Sequence, residues 1–296
     1  MSVREALLSH LNQTGCSQRA VATSIGISAS AISQYLQNKY PGDLEALERK
    51  ITQYLKLSLQ REEYPRLQFS FIETSVVKQV HEIATACHTS NHIGIVTGES
   101  GLGKTTAVKR YLELNPDVLV IYGRPSITTK SILKEIALKV NADAQGSVDD
   151  VFLRIVRKLK GSGRMLIIDE AEHLTARVLD QLRRLNDSEF AGIGILLVGL
   201  PRLLQILCSQ RGDHKYLYSR VGWNVAVQAL TDSDCQNFVA SALPSAKNLW
   251  RTYADCARRN ARSLRNLLAR SLEIATINRA PIDAELIRQT SKILIN

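Results

Sequence analysis

The chain has 296 residues and carries 38 Lys and Arg against 28 Asp and Glu, a formal net charge of +10. This length is typical of about two domains, and 45% hydrophobic with 22% charged residues excludes wholesale disorder. An apolar, glycine-containing run at 191–200 falls well short of the roughly 20 residues that a membrane-spanning helix needs. No secretory signal is visible, and the five cysteines form no CxxC pair. These observations predict a cytoplasmic protein without a zinc site or a disulfide framework.

Residues 1–58 are predicted to form a small all-α domain of helix-turn-helix type. Val21 and Ala22 would face inward on one helix, Gly26 occupies a turn where a side chain is penalised, and Ile32 buries the next helix. This pattern resembles the DNA-binding motif whose second helix enters the major groove. A plain helical hairpin for protein contacts is the alternative. The side chains expected to reach DNA are Ser28, Ser30, Ser33, Gln34 and Lys39.

A polar, proline-containing linker is predicted at 59–68, followed by an α/β core at 69–230. Apolar strands alternate here with amphipathic helices, which predicts a parallel sheet with helices on both faces. The predicted strands are Ile93–Thr97, Val118–Tyr122, 165–168 and 194–198. The predicted helices are Lys104–Leu114, 129–140, Val148–Leu159 and 176–185.

The segment 98–105 reads GESGLGKT and fits the phosphate-binding pattern G-x-x-x-x-G-K-[ST] at every fixed position. It follows a predicted strand and opens a predicted helix, which is the context that the motif requires. Lys104 would reach the β- and γ-phosphates of ATP, and Thr105 would coordinate Mg²⁺. The predicted nucleotide-binding residues are Gly98, Glu99, Ser100, Gly101, Leu102, Gly103, Lys104, Thr105 and Thr106.

Two carboxylates, Asp169 and Glu170, follow the strand at 165–168. They lie at the end of a parallel strand where open α/β sheets bind ligands. Asp169 is predicted to hold Mg²⁺, and Glu170 to polarise the water that attacks the γ-phosphate. An extra strand at Val118–Tyr122, between the phosphate loop and Asp169, together with the Asp-Glu pair predicts the additional-strand class of P-loop ATPases.

The last region, 231–296, is predicted to be a basic, all-α lid. Residues 245–296 hold ten Lys and Arg against four Asp and Glu, which accounts for +6 of the net charge. A basic patch of this kind suits a polyanion such as nucleic acid. A solvated helix face is the alternative explanation.

Taken together, these segments resemble the AAA+ ATPases and, within them, the family of the phage Mu B transposition protein. The likeness rests on the N-terminal helices, on Phe71-Ile-Glu-Thr74 and on Ile167-Ile-Asp-Glu-Ala-Glu-His-Leu174. It implies an α/β P-loop AAA+ core between an all-α helix-turn-helix domain and an all-α C-terminal lid. It also implies that Arg220 is an arginine finger for a neighbouring subunit. Arg262 would contact the γ-phosphate from the lid, with Arg265 as the alternative.

The segment Gly199-Leu200-Pro201, after the fourth predicted strand, departs from the family pattern. AAA+ proteins commonly place Asn or Thr there to position the attacking water, whereas this chain has Leu200. A leucine side chain cannot hydrogen-bond water. Hydrolysis of ATP is therefore predicted to be slow, with ATP serving as an assembly switch.

The function that the resemblance implies is target capture in DNA transposition. The ATP-bound chain would oligomerise head to tail on double-stranded DNA, without sequence preference, and would recruit and stimulate a DDE-type transposase. A slow, DNA-stimulated ATPase would then release it, in the cytoplasm of a bacterium or of a phage host and away from membranes. Core residues expected to contact DNA are Arg124, Lys130 and Lys134. A helicase loader and an ATP-gated transcription regulator remain the alternatives.

Overall fold

The computed structural model describes residues 2–63, 67–208 and 220–294. The chain divides into one unit formed by residues 1–66 with 272–280 and a second formed by 67–271 with 281–296. Within the described ranges, no helix is both long enough and apolar enough to cross a membrane.

Four helices build the N-terminal part of the first unit. They are α1 (Val3–Thr14), α2 (Gln18–Ile25), α3 (Ala29–Leu36) and α4 (Leu44–Glu63). Serine side chains accept hydrogen bonds from the first turns of α1, α2 and α3, as N-cap residues do. The buried side chains that they share are Leu7, Val21, Ala22, Ile32, Tyr35, Leu47, Ile51 and Leu55.

The connection between α2 and α3 turns at Gly26, whose φ of 69° suits a residue without Cβ. The Ile27 N–H then donates to the Ala22 carbonyl at 3.0 Å, and Ser28 Oγ accepts from the Ala31 N–H at 3.2 Å. Helices α2 and α3 therefore lie on either side of the turn that the sequence predicts at Gly26, and Ser28 caps α3. The predicted linker at 59–68 is wrong in its first half. Helix α4 continues to Glu63, so residues 59–63 are helical.

The second unit contains a parallel sheet, as the sequence predicts, but with five strands where the sequence predicts four. The strand order is β2-β3-β4-β1-β5. The strands are β1 (Ile93–Thr97), β2 (Val118–Tyr122), β3 (Met165–Asp169), β4 (Gly194–Gly199) and β5 (Val221–Ala226). The edge strand β5 is absent from the sequence prediction because its residues are mostly exposed and include Gly222 and Asn224 in place of an apolar run.

The strand inserted between β1 and β3 is β4. It pairs with β1 on one side, with Gly199 opposite Thr97, and with β3 on the other. The sequence prediction assigned the role of the extra strand to Val118–Tyr122, but β2 pairs with β3 at the far edge. Since all pairings are parallel, the carboxyl ends of β1, β3 and β4 lie together at one edge of the sheet.

Helices cover both faces of this sheet. The helices up to β5 are α5 (Ser75–Ser90), α6 (Lys104–Leu114), α7 (Thr129–Lys139), α8 (Val148–Leu159), α9 (Ala176–Asn186) and α10 (Arg202–Cys208). Ile93 and Ile95 of β1 pack in one cluster with side chains of α7, α8 and α9. Gly94 points to the other face, where an added Cβ would lie 2.3 Å from Cys87 Sγ of α5. Successive residues of β1 therefore face opposite sides of the sheet, and both sides are covered by helices.

The C-terminal region is helical. Its elements are α11 (Asp232–Ala242), a 3₁₀ turn (Pro244–Leu249), α12 (Trp250–Cys256), α13 (Ala261–Asn278) and α14 (Ala284–Ile293). Asp234 fixes α11 to the start of α5, because its carboxylate accepts from the Ser75 N–H at 2.9 Å and the Ser75 hydroxyl at 2.6 Å. Burial raises the pKa of Asp234, but its hydrogen bonds outweigh burial and hold that pKa below its usual value. Residues 272–280 group with the first unit, whereas the sequence prediction placed all of 231–296 in one lid.

Gly194→Ala tests how closely α5 packs on the sheet. The added Cβ would lie 2.2 Å from the Cys87 carbonyl oxygen, a backbone atom that cannot rotate away. We expect a loss of about 1–3 kcal/mol of stability, or about 5 °C in melting temperature. Gly222→Ala is the matched control, because its Cβ would meet the His92 side chain at 3.2 Å. Equal melting temperatures of the two variants in a thermal scan would contradict this packing.

Candidate nucleotide-binding site

The phosphate loop joins β1 to α6 and is shaped by its glycines. Gly101 and Gly103 have φ values of 83° and 103°, which side chains rarely adopt. Lys104 begins α6 and is 8% exposed. Its Nζ donates to the Gly98 carbonyl at 2.6 Å and the Glu99 carbonyl at 2.8 Å. The lysine thus links the end of the loop to its beginning and places a positive charge at the N-terminus of α6, an arrangement that suits an anion.

Burial lowers the pKa of Lys104, while the carboxylates of Asp169 and Glu172 act in the opposite direction. These two carboxylates are themselves buried, with residue exposures of 2% and 8%. The sequence prediction included Asp169 and gave Glu172 no role. The site therefore contains one buried cation and two buried acidic residues.

Asp169 ends β3, and its two carboxylate oxygens differ. Oδ1 accepts from the Glu170 N–H at 3.0 Å, whereas Oδ2 is buried without a hydrogen-bond partner among the described residues. Burial raises the pKa of Asp169, against the opposing influence of the Thr105 hydroxyl and the Glu170 N–H. An unpartnered carboxylate oxygen near a hydroxyl is the kind of hard oxygen ligand that Mg²⁺ takes together with phosphates. The residues present fit the predicted Mg²⁺ site.

Glu170 adopts a left-handed backbone conformation, with φ of 56°. Side chains rarely take this conformation, which carries strain and is found at functional sites. Gly123 permits it, because an added Cβ there would lie 2.2 Å from the Glu170 carbonyl oxygen. The carboxylate of Glu170 is exposed and lines the same cavity as Lys104 and Thr105.

Two residues from the C-terminal helices are bonded to the phosphate loop. Asn260 donates from Nδ2 to the Ser100 carbonyl at 2.6 Å, and the Arg262 N–H donates to the Gly101 carbonyl at 3.0 Å. The Arg262 guanidinium also reaches Ser100 Oγ at 3.3 Å. Arg265, the alternative candidate, instead lies over the Phe69 ring at 4.7 Å. Both arginines line the cavity, and Arg262 is the one on the loop. Asn260 begins the stretch that contains both arginines, but the sequence analysis gave it no role, because a contact with Ser100, 160 residues away, leaves no pattern in the sequence.

The cavity at this edge measures about 610 Å³, within the usual range for ligand pockets. Its polar lining includes residues of the phosphate loop, Asp169 and Glu170. Outside the phosphate loop it also has an apolar lining that was not predicted. These apolar residues include Phe69, Phe71, Ile72, Val77 and Phe238. The sequence analysis singled out Phe71 and Ile72 as part of a family stretch without giving them a role, and nothing in the sequence pointed to Phe238.

Arg220, the predicted finger, precedes β5 and does not line this cavity. Its guanidinium is half-exposed and forms an ion pair with Asp187 of the same chain. Asp187 also pairs with Arg183 at 2.9 Å. Tyr218 and Ser219, which precede Arg220, lie outside the described residues.

The predicted DNA-contacting residues are distributed over the two units. In the first unit, Ser28 caps α3 and Ser33 accepts from Gln37 Nε2 at 3.3 Å. Ser30, Gln34 and Lys39 are exposed. In the second unit, Arg124 follows β2 and pairs with Glu135 at 3.1 Å. Lys130 and Lys134 are exposed one turn apart on α7.

Comparison with known proteins adds three findings. A family model described as an AAA domain matches residues 87–207. The Mu-like prophage FluMu DNA transposition protein B of Haemophilus influenzae is 32% identical over 242 residues, with 80% of this chain and 83% of that protein covered. The ATP-dependent target DNA activator B of Escherichia phage Mu is 30% identical, with 73% and 70% covered.

Among solved structures, the Aeropyrum pernix ORC2 protein has a similar fold, with a TM-score of 0.57. The identity is 16%, and the match covers 78% of this chain and 71% of that one. At this identity the likeness shows the AAA+ P-loop fold alone. The fold, the matched domain and the two sequence relatives agree, and the chain belongs to the family of the phage Mu B transposition protein.

Proposed function

We propose that this chain is an ATP-dependent activator of DNA transposition that assembles on double-stranded DNA when it binds ATP. One observation supports this function most directly. The buried Lys104 of the phosphate loop lies in one cavity with Asp169 and Glu170, and Arg262 is bonded to the same loop. This is the arrangement that binds a nucleoside triphosphate and can hydrolyse it.

ATP binding uses residues that are already in place. When phosphate enters the loop, Lys104 Nζ would exchange its two carbonyl partners for β- and γ-phosphate oxygens, and the N-terminus of α6 would face the same charge. The apolar lining of the cavity, including Phe69 and Phe238, suits the flat adenine ring. Arg262 would contact the γ-phosphate from α13, which links the C-terminal helices to the state of the nucleotide.

Mg²⁺ would be held by Thr105 and Asp169, and it would neutralise charge on the phosphates when bound. Glu170 would accept a proton from the attacking water or orient it, as a carboxylate at the end of this strand can. The Leu200 side chain offers no hydrogen bond to that water, so slow hydrolysis is part of the proposal. Stimulation of hydrolysis by DNA is proposed from family membership alone.

Assembly would place one subunit's arginine in the next subunit's site. Such a heterologous contact forms rings when it closes and helical filaments when it does not. Arg220 is the candidate, because its side chain is 49% exposed, whereas that of its ion-pair partner Asp187 is 14% exposed. Asp187 also pairs with Arg183 at 2.9 Å, so its carboxylate would keep a partner if Arg220 exchanged this ion pair for a phosphate contact.

Arg220→Ala tests the finger. We expect hydrolysis to fall by about 10³-fold and assembly to weaken, because the transition-state charge loses a partner. Asp187→Asn is the matched control: it breaks the same ion pair and leaves the arginine, so hydrolysis should persist. Turnover is measured by phosphate release and assembly by light scattering. Equal losses in both variants would assign Arg220 a role within its own chain.

DNA binding would come from basic and polar side chains repeated once per subunit. The candidates in the second unit are Arg124, Lys130 and Lys134, and those in the first unit are Ser28, Ser30, Ser33, Gln34 and Lys39. Contacts to phosphate carry little sequence information and release counterions. Binding is therefore expected to be non-specific and steeply salt-dependent. The transposase partner is proposed from family membership alone.

Footprinting of the full chain on duplexes of mixed sequence tests this function. We expect protection along the whole duplex with ATP and little protection without it. Adding a transposase of the same element should then raise strand transfer into the protected DNA. Protection of one sequence irrespective of ATP would contradict the proposal and favour a transcription regulator.

A further inference from the structure

The end of β4 lacks the polar side chain that such sites use to position water, yet a polar group occupies this place. The carboxylate of Glu172 reaches it from the turn after β3, and its Oε2 accepts from the Leu200 N–H at 3.2 Å. The Glu172 side chain is 4% exposed. A carboxylate buried to this degree requires partners, because an unpaired buried charge is costly.

The close approach of Glu172 to β4 depends on Gly199. A Cβ at that position would lie 2.5 Å from Glu172 Oε2. With glycine there, the carboxylate rests directly on the last residue of the strand. Glu172 therefore connects the turn after β3 to the end of β4 and is one of the residues that line the cavity.

Arg202 is the second partner of this carboxylate. It opens α10, and its Nη2 lies 3.9 Å from Glu172 Oε1 and 3.5 Å from His173 Nδ1. The arginine side chain is 50% exposed and lines the cavity together with Lys104 and Glu170. At these distances the guanidinium is oriented by Glu172 while its N–H groups remain available to a ligand.

The negative charge of Glu172 also requires a cation between it and a bound phosphate. A cavity that takes a polyphosphate gains nothing from a buried carboxylate alone, since like charges repel. A guanidinium between the carboxylate and the phosphate turns this repulsion into attraction, because its planar set of donors can bind a carboxylate on one edge and a phosphate on another. Arg202 is the cation that meets both conditions next to Glu172.

We propose that Arg202 binds the γ-phosphate and that Glu172 positions Arg202, so that this pair supplies a polar contact to the nucleotide at the end of β4, where the Leu200 side chain offers none. The inference rests on the proposed ATP site. Arg202 touches the substrate, whereas Glu172 acts through Arg202 and through the backbone of Leu200. Loss of the γ-phosphate would leave the guanidinium with Glu172 as its remaining ionic partner, and this change would report the nucleotide state to β4 and α10.

The test compares nucleotides that differ in the γ-phosphate. In the full chain, Arg202→Ala should lower the affinity for a fluorescent non-hydrolysable ATP analogue by about ten-fold or more, since one charge-assisted phosphate contact is lost. The affinity for fluorescent ADP should stay within about two-fold of the wild-type value. Phosphate release should fall by about 100-fold. Arg202→Lys should recover part of the preference for the ATP analogue.

Glu172→Gln keeps an acceptor for the Leu200 N–H but removes the charge, so it should reduce the preference for the ATP analogue without affecting ADP. Arg251→Ala, an exposed arginine outside the cavity, should match the wild type. The proposed roles of Arg202 and Glu172 would be refuted if Arg202→Ala weakened the binding of both nucleotides equally. They would also be refuted if the ratio of the affinities for the ATP analogue and ADP stayed at the wild-type value in Arg202→Ala and Arg202→Lys. A wild-type chain that binds neither nucleotide would instead refute the proposed ATP site itself.

Discussion

Lys104→Ala is expected to abolish ATP binding and, with it, every effect of ATP on DNA binding. The lysine would give the phosphates at least two charge-assisted hydrogen bonds, each of about 1.5–3 kcal/mol, so affinity should fall by at least about 100-fold. Isothermal titration with ATP measures the first effect. A gel shift with and without ATP measures the second.

Folding should survive this substitution. Burial lowers the pKa of Lys104, which means that its charge is held at a cost in the empty site. Removing the charge relieves that cost but also breaks the hydrogen bonds to the Gly98 and Glu99 carbonyls, so we expect only a small change in melting temperature. Lys109→Ala, an exposed lysine on the same helix α6, is the matched control and should bind ATP normally. If Lys104→Ala binds ATP as tightly as this control, the phosphate site is wrongly placed.

Glu170→Gln is expected to have the opposite effect on assemblies. The amide keeps the size of the side chain but accepts no proton, so hydrolysis should fall by about 10²–10⁴-fold while ATP still binds. Complexes on DNA should then persist after free ATP is removed. Filter retention against time measures their lifetime, and titration with ATP checks that binding is intact.

Glu189→Gln, an exposed glutamate beyond α9, is the control and should dissociate at the wild-type rate. Hydrolysis by Glu170→Gln at the wild-type rate would exclude the predicted role of this carboxylate. Loss of ATP binding in the variant would point to a structural role for the strained turn at Glu170.

The sequence predicted those parts of the fold that depend on local patterns. Four buried strands and the phosphate loop follow from apolar runs and from one motif, and the structure has them at the predicted positions. The order of the strands did not follow, because β4 is inserted between β1 and β3 by long-range pairing. The edge strand β5 was missed because it is largely exposed.

The same distinction applies to the candidate site. Lys104 and Asp169 follow from motifs, since each is fixed by its neighbours in the chain. Asn260 was missed, since its contact with Ser100 is made only by folding. Glu172 was missed for a different reason: the sequence shows a glutamate near Asp169, but not that its carboxylate reaches the backbone of Leu200.

Light scattering of the full chain mixed with duplex DNA addresses the central claim most directly, with electron microscopy of the same samples. With a non-hydrolysable ATP analogue, the scattering should rise steeply and the micrographs should show protein continuous along the duplex. With ADP or without nucleotide, the signal should stay near that of the separate components. Identical scattering in all three conditions would contradict the account, because the triphosphate would then have no part in joining one subunit to the next.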